Sequence, residues 1–159
     1  MHPTTWLPAG WQHPARVAVP TGHHLRPLRA ADVDLDMKAV LGSQERLWAE
    51  YGGVWAWPPA DLTVERHRAD LVRHEREAAQ GVGYRYGLFD TGETELLGRV
   101  TIQPANQDRP STEVSWWVVD WLVGGPVEAA LAEFVPDWVA SEWPLTDVQY
   151  QTTTTRRTA

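Results

Sequence analysis

Three residues that commonly bind metals would share one helical face of this chain. His67, Asp70 and His74 are spaced i, i+3 and i+7, and imidazole and carboxylate are ligands of the kind that hold zinc. The two imidazoles lie two turns apart, about 10.5 Å along a helix axis, too far to reach one ion unaided. The run His74-Glu75-Arg76-Glu77-Ala78 also lacks the second His of a zinc-protease helix. No metal site is therefore expected. There is no Gly-x-Ser-x-Gly elbow and no Gly-Lys-Ser/Thr phosphate loop, so hydrolase and nucleotide-triphosphatase readings lack a motif. The chain has no Cys, which removes thiol nucleophiles, thiolate metal sites and disulfides together.

The unusual resource is tryptophan, ten residues against two Phe and four Tyr. Four come in close pairs, Trp55 with Trp57 and Trp116 with Trp117. An aromatic wall can bind a ligand, yet burial in a core is the commoner role of a single Trp. Trp55 and Trp57 are the candidates for a substrate wall. Trp121, in an expected turn, suits a ligand wall or a subunit contact. Ser115, beside the second pair, either positions substrate or is a small strand residue. His13, His23 and His24 read as surface residues.

The elements that must position these groups fit one domain. A chain of 159 residues is long enough to bury about two-thirds of its unfolded surface. The formal net charge of -7 argues against a phosphate backbone as partner, so no nucleic acid is expected. No apolar run approaches the ~20 residues that span a bilayer, and Met1 to Trp6 lacks the basic start and apolar core of a signal peptide. The expectation is a cytoplasmic protein with no membrane contact.

Residues 1–22, rich in Pro, Gly and His, read as an irregular arm with a short strand near Arg16–Val19. His23 to Leu28 alternates as an edge strand. Asp32 is placed to cap a helix through Val33, Met37, Val40 and Leu41, and Ser43 a second through Tyr51 that Gly52-Gly53 should end. Val54 to Ala60 reads as a loop. Thr63 starts the clearest helix, Val64 to about Gln80, with a narrow inward stripe through Val64, Leu71 and Ala78. A hairpin follows, Tyr84–Phe89 and Leu96–Ile102 around an Asp90–Thr94 turn. A polar loop from Pro104 to Thr112 leads to an apolar strand, Glu113–Val119. The turn Val123-Gly124-Gly125-Pro126 opens a helix to about Trp143, which Pro136 should kink or divide. Asp147–Thr152 closes as a strand. Residues 23–152 thus form the domain, and 153–159 a frayed tail.

Read in order, these segments resemble the GCN5-related N-acetyltransferases (GNAT). The run Leu25-Arg26-Pro27-Leu28 followed by Ala31-Asp32 is similar to the family's opening, and Gly98-Arg99-Val100-Thr101-Ile102 to its third strand. Glu113 to Val118 resembles the fourth strand, and Glu128-Ala129-Ala130-Leu131 the helix after the cofactor loop. The stretch from Trp57 to Glu65 is similar to a segment of some actinobacterial members. The resemblance covers residues 24 to 152. It implies an α+β fold, a mixed and mostly antiparallel sheet with helices on both faces.

The resemblance also implies acetyl-CoA as cofactor and direct transfer of the acetyl group to an amine, on a small molecule or a peptide. Pantetheine would follow the fourth strand, here Trp117, Val118 and Val119. The pyrophosphate would sit on the next loop and helix start, here Gly124, Gly125 and Val127, where free amides attract an anion. Glu113 is the first choice of base and Asp120 the second, and Tyr150 is the candidate acid for the leaving thiolate. Each also has a plain structural role open to it: strand-start Glu, turn Asp, core Tyr.

Two departures from the family pattern bear on these expectations. Val123 stands where the loop has Arg or Gln, the loop is about one residue short, and Pro126 brings no N–H. The family's C-terminal helix and last strands have no counterpart, so they are missing or supplied by a partner, and a homodimer is one way to cover the edge. Against the enzyme stands an alternative, a catalytically inactive GNAT-like domain that binds a small ligand in a Trp-lined cleft, or a partner protein.

Overall fold

A computed structural model describes residues 6–106 and 111–152. Among them six strands form one sheet in the order β1 (Val17–Ala18), β2 (His24–Pro27), β3 (Tyr84–Phe89), β4 (Leu96–Asn106), β5 (Ser111–Val118) and β6 (Val148–Thr152). Each pair is antiparallel except β5–β6, which is parallel. A parallel neighbour requires a crossover, and the helix α4 (Pro126–Glu142) supplies it. Three helices, α1 (Val33–Gly42), α2 (Gln44–Trp55) and α3 (Val64–Gln80), connect β2 to β3. The fold class and the order of elements are those expected from the sequence.

Strand side chains alternate between faces, and here they sort two cores. Tyr84, Tyr86, Val100, Ile102, Val114 and Trp116 share one face by register. There α4 covers them, with Trp138 edge-on to Tyr86 at 5.1 Å. The N-terminal arm packs on the same side. Trp11 lies 4.8 Å from Trp143, and Tyr86 donates its hydroxyl to the Pro14 carbonyl at 2.7 Å. On the other face lie Arg85, Arg99, Thr101, Gln103, Glu113, Ser115 and Trp117, beneath α1, α2 and α3. Helices therefore lie on both faces. Gly98 lets β4 approach β5, since a Cβ there would sit 2.5 Å from the Trp117 carbonyl oxygen.

Several local expectations are corrected. Helix α2 runs through Gly52-Gly53 to Trp55 and ends at Ala56 in the left-handed region. Gly52 makes room for the Trp48 ring, which a Cβ would meet at 2.5 Å. The inward face of α3 is His67, Leu71 and His74, while Val64 is exposed. Thr63 does cap that helix, accepting from the Arg66 amide at 3.2 Å. Neither Asp32 nor Ser43 caps the helix that follows it, although Asp32 accepts from the Arg29 amide at the head of the turn before α1. The Asp32 carboxylate instead receives two bonds from Arg26, and Ser43 accepts from the Asp120 amide at 2.9 Å. Pro136 does not divide α4. Strands β4 and β5 each extend into the expected polar loop, whose centre lies outside the described residues, as does the tail at 153–159.

Candidate functional site

Between the helical layer and the sheet opens a cleft of about 230 Å³. Four residues expected at a ligand site meet in it. Trp55 ends α2, Trp57 follows it, and Ser115 and Trp117 rise from β5. The Trp57 and Trp117 rings lie 6.0 Å apart, and Trp55 stacks on Tyr51 at 4.9 Å. Asp70, Arg73 and His74 of α3 line the opposite side, with Arg85, Arg99, Thr101 and Gln103 on the floor.

The metal-type trio is split by this arrangement. His67 turns away from the cleft to the buried carboxylate of Asp36, its Nε2 2.5 Å from Oδ2. Arg99 donates to the same oxygen at 2.6 Å. Burial alone would raise the Asp36 carboxyl, but Arg99 and His67 outweigh it and hold it below its ordinary value. His74 faces the cleft, its Nδ1 without a partner. Burial first, and then the charges of Arg85, Arg99, Arg73 and His67, push its imidazole down to about 2, so it is neutral at physiological pH.

Glu113 lies one register beyond Ser115 on the cleft side of β5, and its Oε1 accepts from Gln103 at 3.3 Å. Tyr150 pairs with Val114 and lies edge-on to Trp116, on the opposite face of the sheet. It is therefore not brought to the cleft. Asp120 sits past the end of β5 in a 2.5 Å ion pair with Arg46 of α2. Trp121, 69% exposed, borders a second hollow between α1 and the β5 end.

The residues expected to hold a cofactor are arranged unevenly. The Val119 amide donates to Leu97 of β4 and the Thr112 amide to Asp147, beside β6, so even-numbered backbone groups of β5 point towards β6. The described β5–β6 pairing ends at Trp116, which leaves the Val118 N–H facing outward while its carbonyl is taken by Arg46. In the following loop the Val123 amide bonds to Asp120 and the Gly125 amide to Leu122. Gly124, at φ 80°, donates to the Glu128 carboxylate at 2.9 Å. The amides of Val127 and Glu128 at the start of α4 have no partner among the described residues. Outward Val118 and these two amides suit pantetheine and an anion, so the donor set fits the cofactor, with Glu128 as the one competing charge.

No protein-family model matches the chain, and no curated protein matches it. Solved structures do. The ribosomal-protein acetyltransferase RimL in complex with coenzyme A is 15% identical, with TM-score 0.65, covering 86% of this chain and 73% of that one. Mycobacterium smegmatis RimJ, in complex with CoA-disulfide, is 19% identical with TM-score 0.62, covering 85% and 65%. The microcin C7 self-immunity acetyltransferase MccE, in complex with acetyl-CoA and AMP, is 12% identical with TM-score 0.62, covering 81% and 69%. The architecture of this chain is the GNAT acetyltransferase fold.

Sequence reasoning missed the floor of the cleft. Arg85 and Arg99 occupy inward registers of β3 and β4. A cation at a core position of a strand is the signal that could have found them. It missed Arg46 for a different reason, because nothing local in α2 announces that its guanidinium reaches the end of β5. No helix among the described residues is long and apolar enough to cross a membrane.

Proposed function

We propose that this protein is an acyl-CoA-dependent N-acetyltransferase that modifies a small amine held in the Trp-lined cleft. One observation carries the reading: on a GNAT fold, the cleft opens along the same strand, β5, whose outward Val118 amide and following helix start fit the cofactor. The neighbours solved with coenzyme A or acetyl-CoA support it at the level of the fold.

Acetyl-CoA supplies the activated acetyl thioester when bound. The chain's own residues would do the rest. Trp55, Trp57 and Trp117 orient the acceptor and exclude water from its apolar part. Glu113, which accepts from Gln103 of the cleft floor, takes a proton from the acceptor ammonium so that a neutral amine can attack. His74 cannot share that task, since an imidazole at about 2 is too weak a base. With Tyr150 behind the sheet, the departing thiolate takes its proton from solvent or substrate.

A second reading has its own support. The bond from Gly124 to the Glu128 carboxylate places a negative charge where pyrophosphate would bind, as suits a ligand-binding domain without catalysis. Titration of acetyl-CoA followed by Trp fluorescence and calorimetry separates the two. Saturable micromolar binding, with Glu113→Gln lowering kcat but not cofactor affinity, supports the transferase. Absence of binding at millimolar cofactor leaves the second reading.

A further inference from the structure

The cleft contains more charge than a hydrophobic acceptor would require. Arg73, Arg85 and Arg99 converge on it in a chain whose formal net charge is -7. Arg99 is only 7% exposed, and its Nε has no partner. The same guanidinium lies 5.3 Å from the Trp57 ring centroid and 5.8 Å from that of Trp117, so cation and aromatic wall form one surface. His74, 8% exposed, presents a second orphaned nitrogen, Nδ1. Buried polar atoms of native proteins are normally paired; here two of them line one cavity.

Three carboxylates accompany the three guanidiniums, so the open capacity of the cleft lies in unpaired nitrogens rather than in net charge. Asp36 is shared between Arg99 and His67. Glu77 serves Arg85 at 2.6 Å and Arg73 at 3.9 Å, and Asp70 lies 3.3 Å from Arg73. Burial is the first cause of the proton shifts in the cleft. Burial lowers the Arg85 guanidinium and, with Glu77 opposing, Arg99 and Arg73 lower it further. His74 is driven neutral by burial and the same cations.

We propose that the cleft recognises a small molecule carrying a planar ring beside an anionic group, the ring lying against Trp55, Trp57 and Trp117 and the anion on Arg85 and Arg99. The volume, about 230 Å³, is below the ~300 Å³ at which drug-sized pockets begin, so the ligand is one ring and a short acidic arm. This inference rests on the reading above only in making that ligand the acceptor amine. Binding is tested without cofactor, so the two can fail separately.

The test is calorimetric titration of the full chain, without acetyl-CoA, with four probes. These are 3-phenylpropionate, phenyl phosphate, phenethylamine and acetate. The carboxylate or phosphate probe should bind about tenfold or more tightly than phenethylamine, as expected for a charge-assisted contact, and acetate alone should bind weakly. Which of the two anions binds better identifies the acidic group. Arg85→Met should abolish the preference while leaving the thermal midpoint near that of the parent. Arg99→Lys serves as the second variant, because it keeps a cation beside buried Asp36. Equal affinity for anion and amine, or no anion binding at millimolar probe, would overturn the proposal and leave a water-filled structural cavity. Anion binding without acetyl-CoA binding would sustain this inference and sink the transferase.

Discussion

The Trp-lined cleft and the loop before α4 flank the same strand and have opposite economies of hydrogen bonding. In the cleft, buried side chains are left with open nitrogens, Arg99 Nε and His74 Nδ1. In the loop, Val123, Gly124 and Gly125 each spend their amide on the chain itself. A region that closes its own donors gains local stability at once, whereas one that leaves them open gains only when something binds. On this comparison the cleft keeps recognition capacity, while the loop proposed for the cofactor is held partly shut by Glu128 and Arg46.

The largest effect should come from the cleft floor. Asp36→Ala removes the shared acceptor of Arg99 and His67 and strands two buried polar groups. It should cost about 3–5 kcal/mol in urea unfolding. A loss below about 1 kcal/mol would show that the floor is not held by charge, and the contrast with the loop would collapse.

A smaller and two-signed effect is expected in the loop. Glu128→Ala frees the Gly124 amide and removes the competing charge, so acetyl-CoA should bind about two- to fivefold more tightly. Stability should fall by about 0.3–1 kcal/mol, as an acidic residue leaves a helix start. Gly125→Glu should act oppositely and weaken the cofactor. Affinity indifferent to both substitutions, measured by calorimetry, would remove this loop from the cofactor site.

A pH dependence is expected as well, to which the cleft contributes through His74. His74 takes a proton near 6.5 when unfolded but only near about 2 when folded. Between those values the unfolded chain binds more protons, so stability falls as pH drops below 6.5. Urea midpoints at pH 7 and pH 5 read it together with His13, which burial also lowers, while Glu93, held down to about 2 by Arg26 and His24 from an ordinary 4.5, acts in the same direction only at lower pH. His74→Gln should reduce the slope between the two, and the difference from the parent isolates the share of the cleft. An unchanged slope would mean that the cleft does not repel protons at His74.

Much of this architecture was legible beforehand because its signals are local. The α3 helix shows its cap at Thr63 and its stop at Gly81, and the hairpin turns where Asp90 accepts from the Thr94 and Glu95 amides. Trp55, Trp57 and Ser115 could be nominated for a substrate wall because the Trp pairs stand out in composition, whereas Trp117, expected on the cofactor strand, is found beside them. Misreadings arose where a distant partner changed a local preference. Asp32 turns to Arg26 and the Arg29 amide rather than to α1, Ser43 turns to Asp120, and Gly52 shelters a Trp ring instead of ending its helix. Tyr150 illustrates the period-two rule, since one step of register decides which face of the sheet a side chain serves.

By itself the sequence determined the segments, their order and the alternation of each strand, since propensity, capping and periodicity act within a few residues. Only the tertiary structure decided which inward faces met. Asp36 receives His67 across 31 positions and Arg99 across 63, and the cleft exists because α2 and α3 settle over β3, β4 and β5 at a spacing no local rule contains. Hydrogen bonds and ion pairs act over a few ångströms. Their partners are therefore set by how the chain returns on itself.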